Sequence, residues 1–474
     1  MPRAHPFWAL VLAVVWCAAL VGLYAYAVAG RGPSRRKRQR SWDFYGTLMN
    51  RRCSEDAVFQ AVEDKYGPPG FAVARKRAQA GRRRTIAEIY NDMPEGMRDR
   101  LAQEMRLELA SLYPIVESCN RLRPGDWIVS DGPYPPEALR GFLQAFGIDT
   151  RELKIVSTPA GKRDGWIWSA IGLRGGLHTG DNPWTDGVRA WLGGQRPRLY
   201  LSAQPTWSER LMGSQAGEAL TETRLANPYA PGSEEHRVWS CEQCQFNLPL
   251  LVCSSIVLHN SIKAWGVTRV LFATRDCCIW AGVYAALYPA EADTLVYFDC
   301  SRRVFRQPPE QYLEYVERLL PHDGSAVFVD ISGSGRSFRR FFRRWPVARR
   351  PAYFAIGSYV ESPLLPRTGY VLWPWPFGVR LEVLNYDTVG SLVGYGDGGA
   401  HRGPCEYPLN LVRVAHAAAD LFLAKIQPCS GTEDVRLARH RAHIILGATV
   451  MLIPIEQRYH VGAHQNNNVG ETSK

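Results

Sequence analysis

The chain has 474 residues, 46% hydrophobic and 22% charged, which excludes a disordered protein and predicts two or three globular domains. The formal net charge of +12 is concentrated in short basic clusters rather than in an extended stripe of alternating basic and aromatic residues, which argues against nucleic acid as a partner. The 11 cysteines have no regular spacing, and Cys241 and Cys244 form the only C-x-x-C pair. This pattern favours reduced thiols in a reducing compartment over a zinc site.

The N-terminal region, residues 1–30, predicts a transmembrane anchor. An uncharged apolar run extends from Phe7 to Ala29, long enough to cross a hydrocarbon core of about 30 Å. A cleaved signal peptide is the alternative, but the run is longer than the usual apolar region of about 7–15 residues. The basic linker 31–40 follows, whereas only Arg3 precedes the run. The positive-inside rule therefore places the following domains on the cytosolic side, where the linker would also attract anionic lipid.

The remaining sequence predicts an α/β protein with two Rossmann-like domains. In the first domain, residues 41–203, a short polar strand ends at Asp43, a helical region covers about 52–120, and short strands then alternate with helices up to Leu201. Such alternation predicts a parallel sheet that binds ligands at the carboxyl ends of its strands. Residues 204–240 are rich in Gly, Pro and Ser and predict a linker. A second alternating domain is expected over 241–460, with a disordered tail at 461–474.

Four short motifs follow predicted strands in the first domain. They are Asp43–Leu48, Ser130-Asp131, Lys162–Gly165, and His178–Asn182 with Asp186. An Asp can attack a phosphoryl group, while a hydroxyl and an ammonium hold the transferring oxygens. Carboxylates such as Asp43 and Asp181 can share a magnesium ion. Taken separately, each motif more commonly indicates a helix cap, a turn or, for Lys162, a solvated surface charge.

Together these motifs resemble those of the haloacid dehalogenase-like superfamily, and in particular predicted hydrolases with a helical cap after the first motif. The resemblance covers residues 41–201 and includes the turn Asp131–Pro135. It implies a Rossmannoid sheet with a helical cap and a Mg²⁺ cofactor. The implied catalytic residues are Asp43, Tyr45, Ser130 and Lys162; the metal ligands are Asp43, Asp181 and Asp186; the phosphate-binding residues are Thr47, Ser130, Lys162 and Asn182.

The first motif differs from that of superfamily phosphatases, which place a second Asp two residues after the nucleophile. Tyr45 stands there, and a phenol can donate a proton but is a poor base at neutral pH. Asp43–Leu48 is instead similar to true haloacid dehalogenases, which need no metal. Gly180-Asp181-Asn182, in contrast, resembles the metal-binding branch. The polar residues before Asp43 predict a very short or distorted first strand.

The second domain contains a Gly/Ser-rich loop between a strand and a helix, and this loop resembles that of phosphoribosyltransferases. Backbone amides in such a loop can bind phosphate. An ordinary capped strand–turn–helix connection is the alternative. The candidate site combines the loop with residues that end two other strands: Arg275, Asp276, Ser301, Arg302, Asp330, Ser334, Gly335 and Ser337.

The expected function is a membrane-anchored hydrolase that transfers or hydrolyses phosphoryl groups through an aspartyl intermediate. The family analogy points to a phosphorylated small molecule or glycan precursor as substrate, in polysaccharide or glycoconjugate metabolism. One alternative is a degenerate domain that binds a phosphorylated ligand or protein partner without turnover. Another is dehalogenation.

Overall fold

The computed structural model describes residues 39–80, 84–159, 161–173, 175–333, 335–358, 367–372, 381–382, 384–430 and 433–452. The predicted anchor, most of the basic linker and the tail at 461–474 lie outside these residues. Within the described ranges, no helix combines the length and the apolar character needed to cross a membrane. The chain divides into two compact units, with the division after Gln204.

The first unit is built on a parallel five-stranded sheet, as the alternating pattern predicts. Its strands, together with a two-stranded antiparallel pair, are β1 (Arg40–Asp43), β2 (Met49–Arg51), β3 (Leu112–Pro114), β4 (Trp127–Ser130), β5 (Lys154–Ser157), β6 (Leu177–Gly180) and β7 (Arg196–Leu199). The sheet order is β5-β4-β1-β6-β7, and β2 pairs with β3. Strand order therefore reverses between β1 and β6, where open parallel sheets bind ligands.

The central strand β1 is short, as predicted, but it pairs regularly with both neighbours. Arg40 and the indole of Trp42 both donate to the carboxylate of Asp126, each at 3.0 Å. The Ser41 hydroxyl lies 2.9 Å from Nδ1 of His178. Each of these polar side chains thus finds a polar partner, which removes most of the cost of burying it. This explains how a polar sequence forms the centre of a sheet.

Between β1 and β4 the chain forms the antiparallel pair and a group of helices. The helices are Glu55–Tyr66, Phe71–Gln79, Ile86–Asn91, Glu95–Arg98, Leu101–Ser111 and Val116–Cys119. Ser54 caps the first of them by accepting a hydrogen bond from the amide of Ala57 at 3.2 Å, which satisfies an amide at the helix N-terminus. The helices occupy the region where the sequence predicts a helical cap.

A buried ion pair joins these helices. Arg75 Nε donates to Glu104 Oε2 at 2.8 Å, and both side chains are completely buried. Tyr90 donates to the same carboxylate at 2.7 Å, and Tyr134 does so at 3.3 Å. Because Tyr134 belongs to the turn after β4, the carboxylate of Glu104 connects the helices to the carboxyl edge of the sheet.

We predict that Glu104→Gln destabilises the first unit by about 3–5 kcal/mol, because it leaves the charge of Arg75 buried without a counterion. Hydrogen exchange of the helical amides measures this change for the unit alone, without assuming two-state unfolding of the whole chain. Asp56→Asn is the matched control, because it breaks an ion pair to Lys76 whose side chains are 59% and 65% exposed. It should cost less than about 1 kcal/mol. Equal effects of both variants would contradict the prediction.

The rest of the first unit supplies the connections between its parallel strands. The helices are Pro136–Ala145, Gly161–Asp164, Trp166–Ala170 and Ala190–Leu192, with a π-helix at Pro183–Arg189 and a 3-10 turn at Leu201–Ala203. They follow β4, β5, β6 and β7 in the alternation that the sequence predicts.

The second unit also contains a parallel five-stranded sheet. Its strands, with a further antiparallel pair, are β8 (Arg269–Ala273), β9 (Leu295–Phe298), β10 (Ala326–Ser332), β11 (Ala352–Gly357), β12 (Thr368–Leu372), β13 (Leu392–Gly396) and β14 (Gly399–Arg402). The sheet order is β12-β11-β10-β8-β9, and β13 pairs with β14. Strand order reverses between β8 and β10. The prediction of a second Rossmann-like sheet is therefore confirmed.

Helices surround this second sheet. They are Trp207–Met212, Ser214–Leu225, Glu234–Arg237, Leu248–Trp265, Cys278–Leu287, Arg302–Arg306, Glu310–Leu319, Arg336–Phe342, Leu409–Leu423 and Val435–Leu452, with a π-helix at Val238–Asn247 and 3-10 turns at Pro289–Thr294 and Val347–Arg349. The apolar run from His443 becomes the second half of the last helix, in which Ile445 and Leu446 are fully buried.

The expectation of a linker at 204–240 is wrong, because most of that stretch is helical. Thr206 caps the helix Trp207–Met212 by accepting from the amide of Glu209, whose side chain bonds back to the amide of Thr206. The same Glu209 pairs with the buried Arg224 at 2.6 Å. The Gly and Pro content suggested a linker, but the sequence also contains a Thr-x-x-Glu capping box, which indicates the start of a helix.

Candidate active site

The first unit brings the predicted motifs together at the point where its strand order reverses. Asp43 is the last residue of β1 and Ser130 the last of β4, while Asp181 directly follows β6. Lys162 lies in the short helix Gly161–Asp164 after β5. Parallel strands end at one edge of a sheet, so residues far apart in sequence share this edge.

Three carboxylates and one ammonium form the centre of the site. Oxygens of Asp43, Asp181 and Asp186 all lie within 4.8 Å of one another. The Lys162 ammonium lies 2.5 Å from Asp43 Oδ1 and 2.7 Å from Asp186 Oδ1. Lys162 and Asp186 are almost completely buried. One buried cation therefore joins the end of β1 to the π-helix that follows β6.

The carboxylate of Asp131 positions Lys162. Its two oxygens accept from the backbone amides of Lys162 at 2.6 Å and Arg163 at 3.2 Å. These bonds satisfy amides at the start of the helix Gly161–Asp164. Asp131, which belongs to the second motif, thus acts here as a helix cap.

His178 holds the third carboxylate and was not predicted as a site residue. Its Nε2 lies 3.1 Å from Asp186 Oδ1, and its Nδ1 faces the Ser41 hydroxyl. Burial lowers the pKa of His178, so the neutral ring donates from Nε2 to Asp186 and accepts at Nδ1. The only sequence signal was that His178 is the first residue of the last motif, within β6.

The side chain of Asn182, which was predicted to bind phosphate, makes a local contact through its oxygen. Its Oδ1 caps the π-helix by accepting from the amides of Trp184 at 2.9 Å and Thr185 at 3.2 Å. Its backbone amide instead donates to Asp186 Oδ2 at 3.1 Å. Asn182 therefore orients the turn that carries Asp186.

Two glycines allow the carboxylates to come this close to the backbone. A Cβ on Gly46 would lie 2.4 Å from Asp181 Oδ2, and Gly46 also has a φ of +70°. A Cβ on Gly180 would lie 2.3 Å from Asp186 Cγ. Any side chain at either position would displace a carboxylate, which gives a physical reason for the Gly in each motif.

The electrostatics of the cluster leave it with excess negative charge. Burial, followed by the charge of Asp186, raises the pKa of Asp181, and burial raises that of Asp43 well above its ordinary value despite Lys162. Although burial acts to raise the pKa of Asp186, Lys162 and His178 hold it far below its usual range. One ammonium thus faces three carboxyl groups, so a second cation would relieve their repulsion.

The donor set fits Mg²⁺, since hard cations take carboxylate and water oxygens. Asp186 already pairs with Lys162 and His178. Asp43 and Asp181 would therefore bind the ion, while Asp186 would hold Lys162 in place. Gln204 Nε2 donates to Asp181 Oδ2 at 3.3 Å and helps to orient that carboxylate.

Two hydroxyls were predicted to hold phosphate. Thr47 is completely buried, and its Oγ1 has no hydrogen-bond partner among the described residues. The Ser130 Oγ accepts from the amide of Gly132 at 3.1 Å, which leaves its own proton to donate. Both hydroxyls can therefore donate to a ligand, and the orphaned Thr47 needs a partner more than Ser130 does.

The hydroxyl of Tyr45, which the sequence predicts to be catalytic, is hydrogen-bonded to Glu108. It donates to Glu108 Oε1 at 2.8 Å, and the Arg51 guanidinium lies 4.1 Å from the centre of the Tyr45 ring. Arg51 pairs with the same carboxylate at 2.8 Å. Burial, together with the charge of Glu108, raises the pKa of Tyr45 well above its ordinary value. Glu108 and Arg51 belong to the helical region and β2, and no sequence motif identified them.

The second unit brings some of its candidate residues together. Arg275 pairs with Asp276 at 2.7 Å after β8. Burial and then Asp276 raise the pKa of Asp330 to about 7 and that of Glu382 to about 8. Arg302 counteracts this shift for Asp330. The cluster at the reversal between β8 and β10 is thus rich in carboxyl groups, and it includes Glu382, which the sequence did not indicate.

Other candidates in this unit have local roles. Ser301 caps the helix Arg302–Arg306 by accepting from Val304 at 3.2 Å, as in the ordinary capped connection. Gly335 precedes the helix Arg336–Phe342 with a φ of 65°, and Ser337 lies half-buried in its first turn. Ser334 lies outside the described residues.

Comparison with known proteins adds no relative: no protein-family model matches the sequence, and no curated protein is significantly similar to it.

We predict that divalent-cation binding weakens as the pH falls. Because the pKa values of Asp43 and Asp181 are raised, protons compete with the cation above the range in which ordinary carboxyls titrate. Mn²⁺ binding, followed by electron paramagnetic resonance, should therefore weaken steadily from about pH 8 to about pH 5, above the ordinary Asp pKa near 3.9. Asp181→Asn should weaken binding throughout this range, whereas Asp149→Asn, at an exposed site, should not. A flat affinity down to about pH 5 would contradict the prediction.

Proposed function

We propose that the first unit is a haloacid dehalogenase-like, Mg²⁺-dependent hydrolase or transferase of phosphoryl groups. The observation that carries this proposal is the convergence of Asp43, Asp181 and Asp186 around Lys162 at the carboxyl edge of the sheet. The combination offers a nucleophile, a cation site and a fixed positive charge within a few ångströms. A metal-independent dehalogenase requires a nucleophile and a base for its attacking water, so the third carboxylate favours the metal-dependent reaction.

In the proposed reaction, Asp43 is the nucleophile. Its Oδ1 accepts from Lys162 and, at 2.8 Å, from the amide of Phe44, which assigns the attack on phosphorus to Oδ2. The new bond forms an aspartyl-phosphate as the bond to the leaving oxygen breaks. Water then attacks the phosphorus, the bond to Asp43 breaks, and inorganic phosphate leaves with the water's oxygen.

The residues around Asp43 orient the phosphoryl group and neutralise its charge. Lys162 stabilises the ionised form of Asp43 and faces the negative charge of the phosphoryl oxygens, while Ser130 and Thr47 donate hydrogen bonds to them. A bound Mg²⁺ would supply further positive charge against the same oxygens. Transfer therefore depends on positioning and charge neutralisation, as in other phosphoryl transfers.

The position of Tyr45 restricts the leaving group. Its proton is directed to Glu108, so no acid at this position protonates a departing alkoxide. The leaving oxygen departs as an anion and takes its proton from solvent. Substrates with stable leaving anions, such as phosphoanhydrides or aryl and acyl phosphates, should therefore react, whereas simple alkyl phosphates should react poorly.

The first test is a phosphatase assay on the full-length protein with p-nitrophenyl phosphate and a nucleoside diphosphate. Asp43→Asn should abolish turnover, because an amide is not a nucleophile, and chelation of Mg²⁺ should do the same. Asp149→Asn is the control and should retain activity, since its carboxylate is exposed and pairs only locally with Arg151. Turnover that survives in Asp43→Asn would overturn the mechanism.

The second test separates a structural from a catalytic Tyr45. Tyr45→Phe should change kcat little on aryl phosphates, although it removes a buried hydrogen bond and should destabilise the unit by about 1–3 kcal/mol. A fall in kcat of about 100-fold or more in a folded variant would instead show that the phenol acts as the acid.

A second candidate function is binding of a phosphorylated ligand or protein partner without turnover. The engagement of Tyr45 by Glu108 favours it, because the step that requires an acid then has no donor from the first motif. In that case no substrate is turned over, and a phosphorylated ligand binds wild type and Asp43→Asn alike.

The site of action that we propose is the cytosolic face of a membrane. Support comes from the uncharged run Phe7–Ala29 and the basic residues that follow it. An anchored enzyme of this kind would act on a phosphorylated small molecule or glycan precursor, for example in polysaccharide or glycoconjugate metabolism.

A further inference from the structure

A second group of potential metal ligands lies in the second unit, outside both sites considered above. Donor atoms of Cys278, Asp387 and His416 all lie within 4.8 Å of one another. Cys278 begins the helix Cys278–Leu287, and His416 lies in the helix Leu409–Leu423, while Asp387 belongs to the segment before β13. Each residue is half-buried, so solvent and ions can reach the group.

The separations match a small tetrahedral ion. Cys278 Sγ lies 3.7 Å from His416 Nε2. With zinc bonds of about 2.3 Å to sulfur and about 2.0–2.1 Å to nitrogen, a tetrahedral site separates these two atoms by about 3.6 Å. A carboxylate oxygen of Asp387 lies within 4.8 Å of both atoms, so it can supply the third ligand of the same ion.

The carboxylate of Asp387 is already oriented by a neighbour. Tyr297 donates its hydroxyl to Asp387 Oδ2 at 2.9 Å. Outer hydrogen bonds of this kind commonly fix the carboxylates and imidazoles that bind metals. His416 Nε2 lies 2.9 Å from the carbonyl oxygen of Tyr386, so a metal bound to this nitrogen would replace the proton that it shares with that oxygen.

We propose that Cys278, Asp387 and His416 bind a zinc ion, with solvent as the fourth ligand. A thiolate, an imidazole and a carboxylate form a borderline-soft donor set that suits Zn²⁺ and excludes Mg²⁺, which takes oxygen ligands. The ion binds independently of the carboxylate cluster in the first unit.

The same residues do not suit a nucleophilic cysteine. Cys278 lies beside the carboxylate of Asp387, and a neighbouring negative charge does not activate a thiol as a nucleophile. Reactive cysteines have lowered pKa values in electropositive surroundings. Coordination to a cation, in contrast, removes the thiol proton outright.

The zinc site has a structural consequence for the neighbouring loop. The amide of Asp387 donates to the carbonyl oxygen of Arg275 at 2.9 Å. Arg275 has a φ of +77°, a left-handed conformation that is uncommon for residues other than glycine. An ion that fixes Asp387 to two helices therefore stabilises the loop that presents Arg275 and Asp276 at the edge of the second sheet.

The test is Co²⁺ substitution of the full-length protein, because a cobalt–thiolate bond gives a near-ultraviolet charge-transfer band that an all-oxygen site cannot produce. Wild type should show this band at one equivalent of Co²⁺, and Zn²⁺ but not Mg²⁺ should displace it. Cys278→Ser should lose the band, and His416→Gln should lose or strongly weaken it. Cys429→Ser, which removes another half-buried thiol, should keep it.

Asp43→Asn should also keep the band, which separates failure of the zinc site from failure of the proposed hydrolase site. If the substitutions prevent folding, alkylation of the wild-type protein provides the second measurement. Zn²⁺ should protect Cys278 from alkylation and leave Cys429 unprotected. A missing band in wild type, a band that persists in folded Cys278→Ser, or equal alkylation of Cys278 with and without Zn²⁺ would overturn the proposal.

Discussion

The burial of Lys162 between Asp43 and Asp186 is the interaction on which the candidate active site depends. A buried ammonium is stable only when carboxylates pair with it, so the ends of β1 and β6 and the helix after β5 must meet. Burial also raises the pKa of Asp181, and it raises that of Asp43 despite the contact with Lys162. A second cation would relieve the remaining repulsion at the site where we propose that a phosphoryl group binds.

The general rule for parallel sheets explains why much of this site follows from sequence. Asp43, Ser130 and Asp181 each end a strand, and the carboxyl ends of parallel strands share one edge. Strand alternation was therefore sufficient to predict their proximity. It could not assign the role of each side chain, because caps and ligands use the same residue types. Asn182 is an example: its motif predicted a phosphate ligand, whereas its side-chain Oδ1 caps a π-helix.

Partners that come from outside the strand ends could not be predicted. Glu108 binds Tyr45 from a helix, and the helix presents this carboxylate through tertiary packing that no spacing encodes. His178 lies inside a strand, where an isolated buried histidine usually indicates ordinary packing. Composition was also a poor guide in two places. Tertiary hydrogen bonds stabilise the polar strand β1, and a capping box starts a helix in the Gly- and Pro-rich stretch after Gln204.

The second unit repeats the sheet architecture with different chemistry at its edge. Its carboxyl groups, Asp330 and Glu382, surround an Arg–Asp pair rather than a lysine, and its phosphate-loop resemblance has no counterpart in side-chain geometry among the described residues. Cys278, Asp387 and His416 converge without any motif spacing, whereas the regular pair Cys241 and Cys244 belongs to no group of three potential ligands in the described residues. Three-dimensional convergence is thus more informative than spacing for the candidate metal sites in this chain.

The central claim, that the cluster around Lys162 is a divalent-cation site, is tested most directly by anomalous diffraction from crystals of the protein grown with Mn²⁺. We expect an anomalous peak between the carboxylates of Asp43 and Asp181, at metal–oxygen bonding distance from both. Ordered crystals in which both carboxylates are free of metal at saturating Mn²⁺ would contradict it.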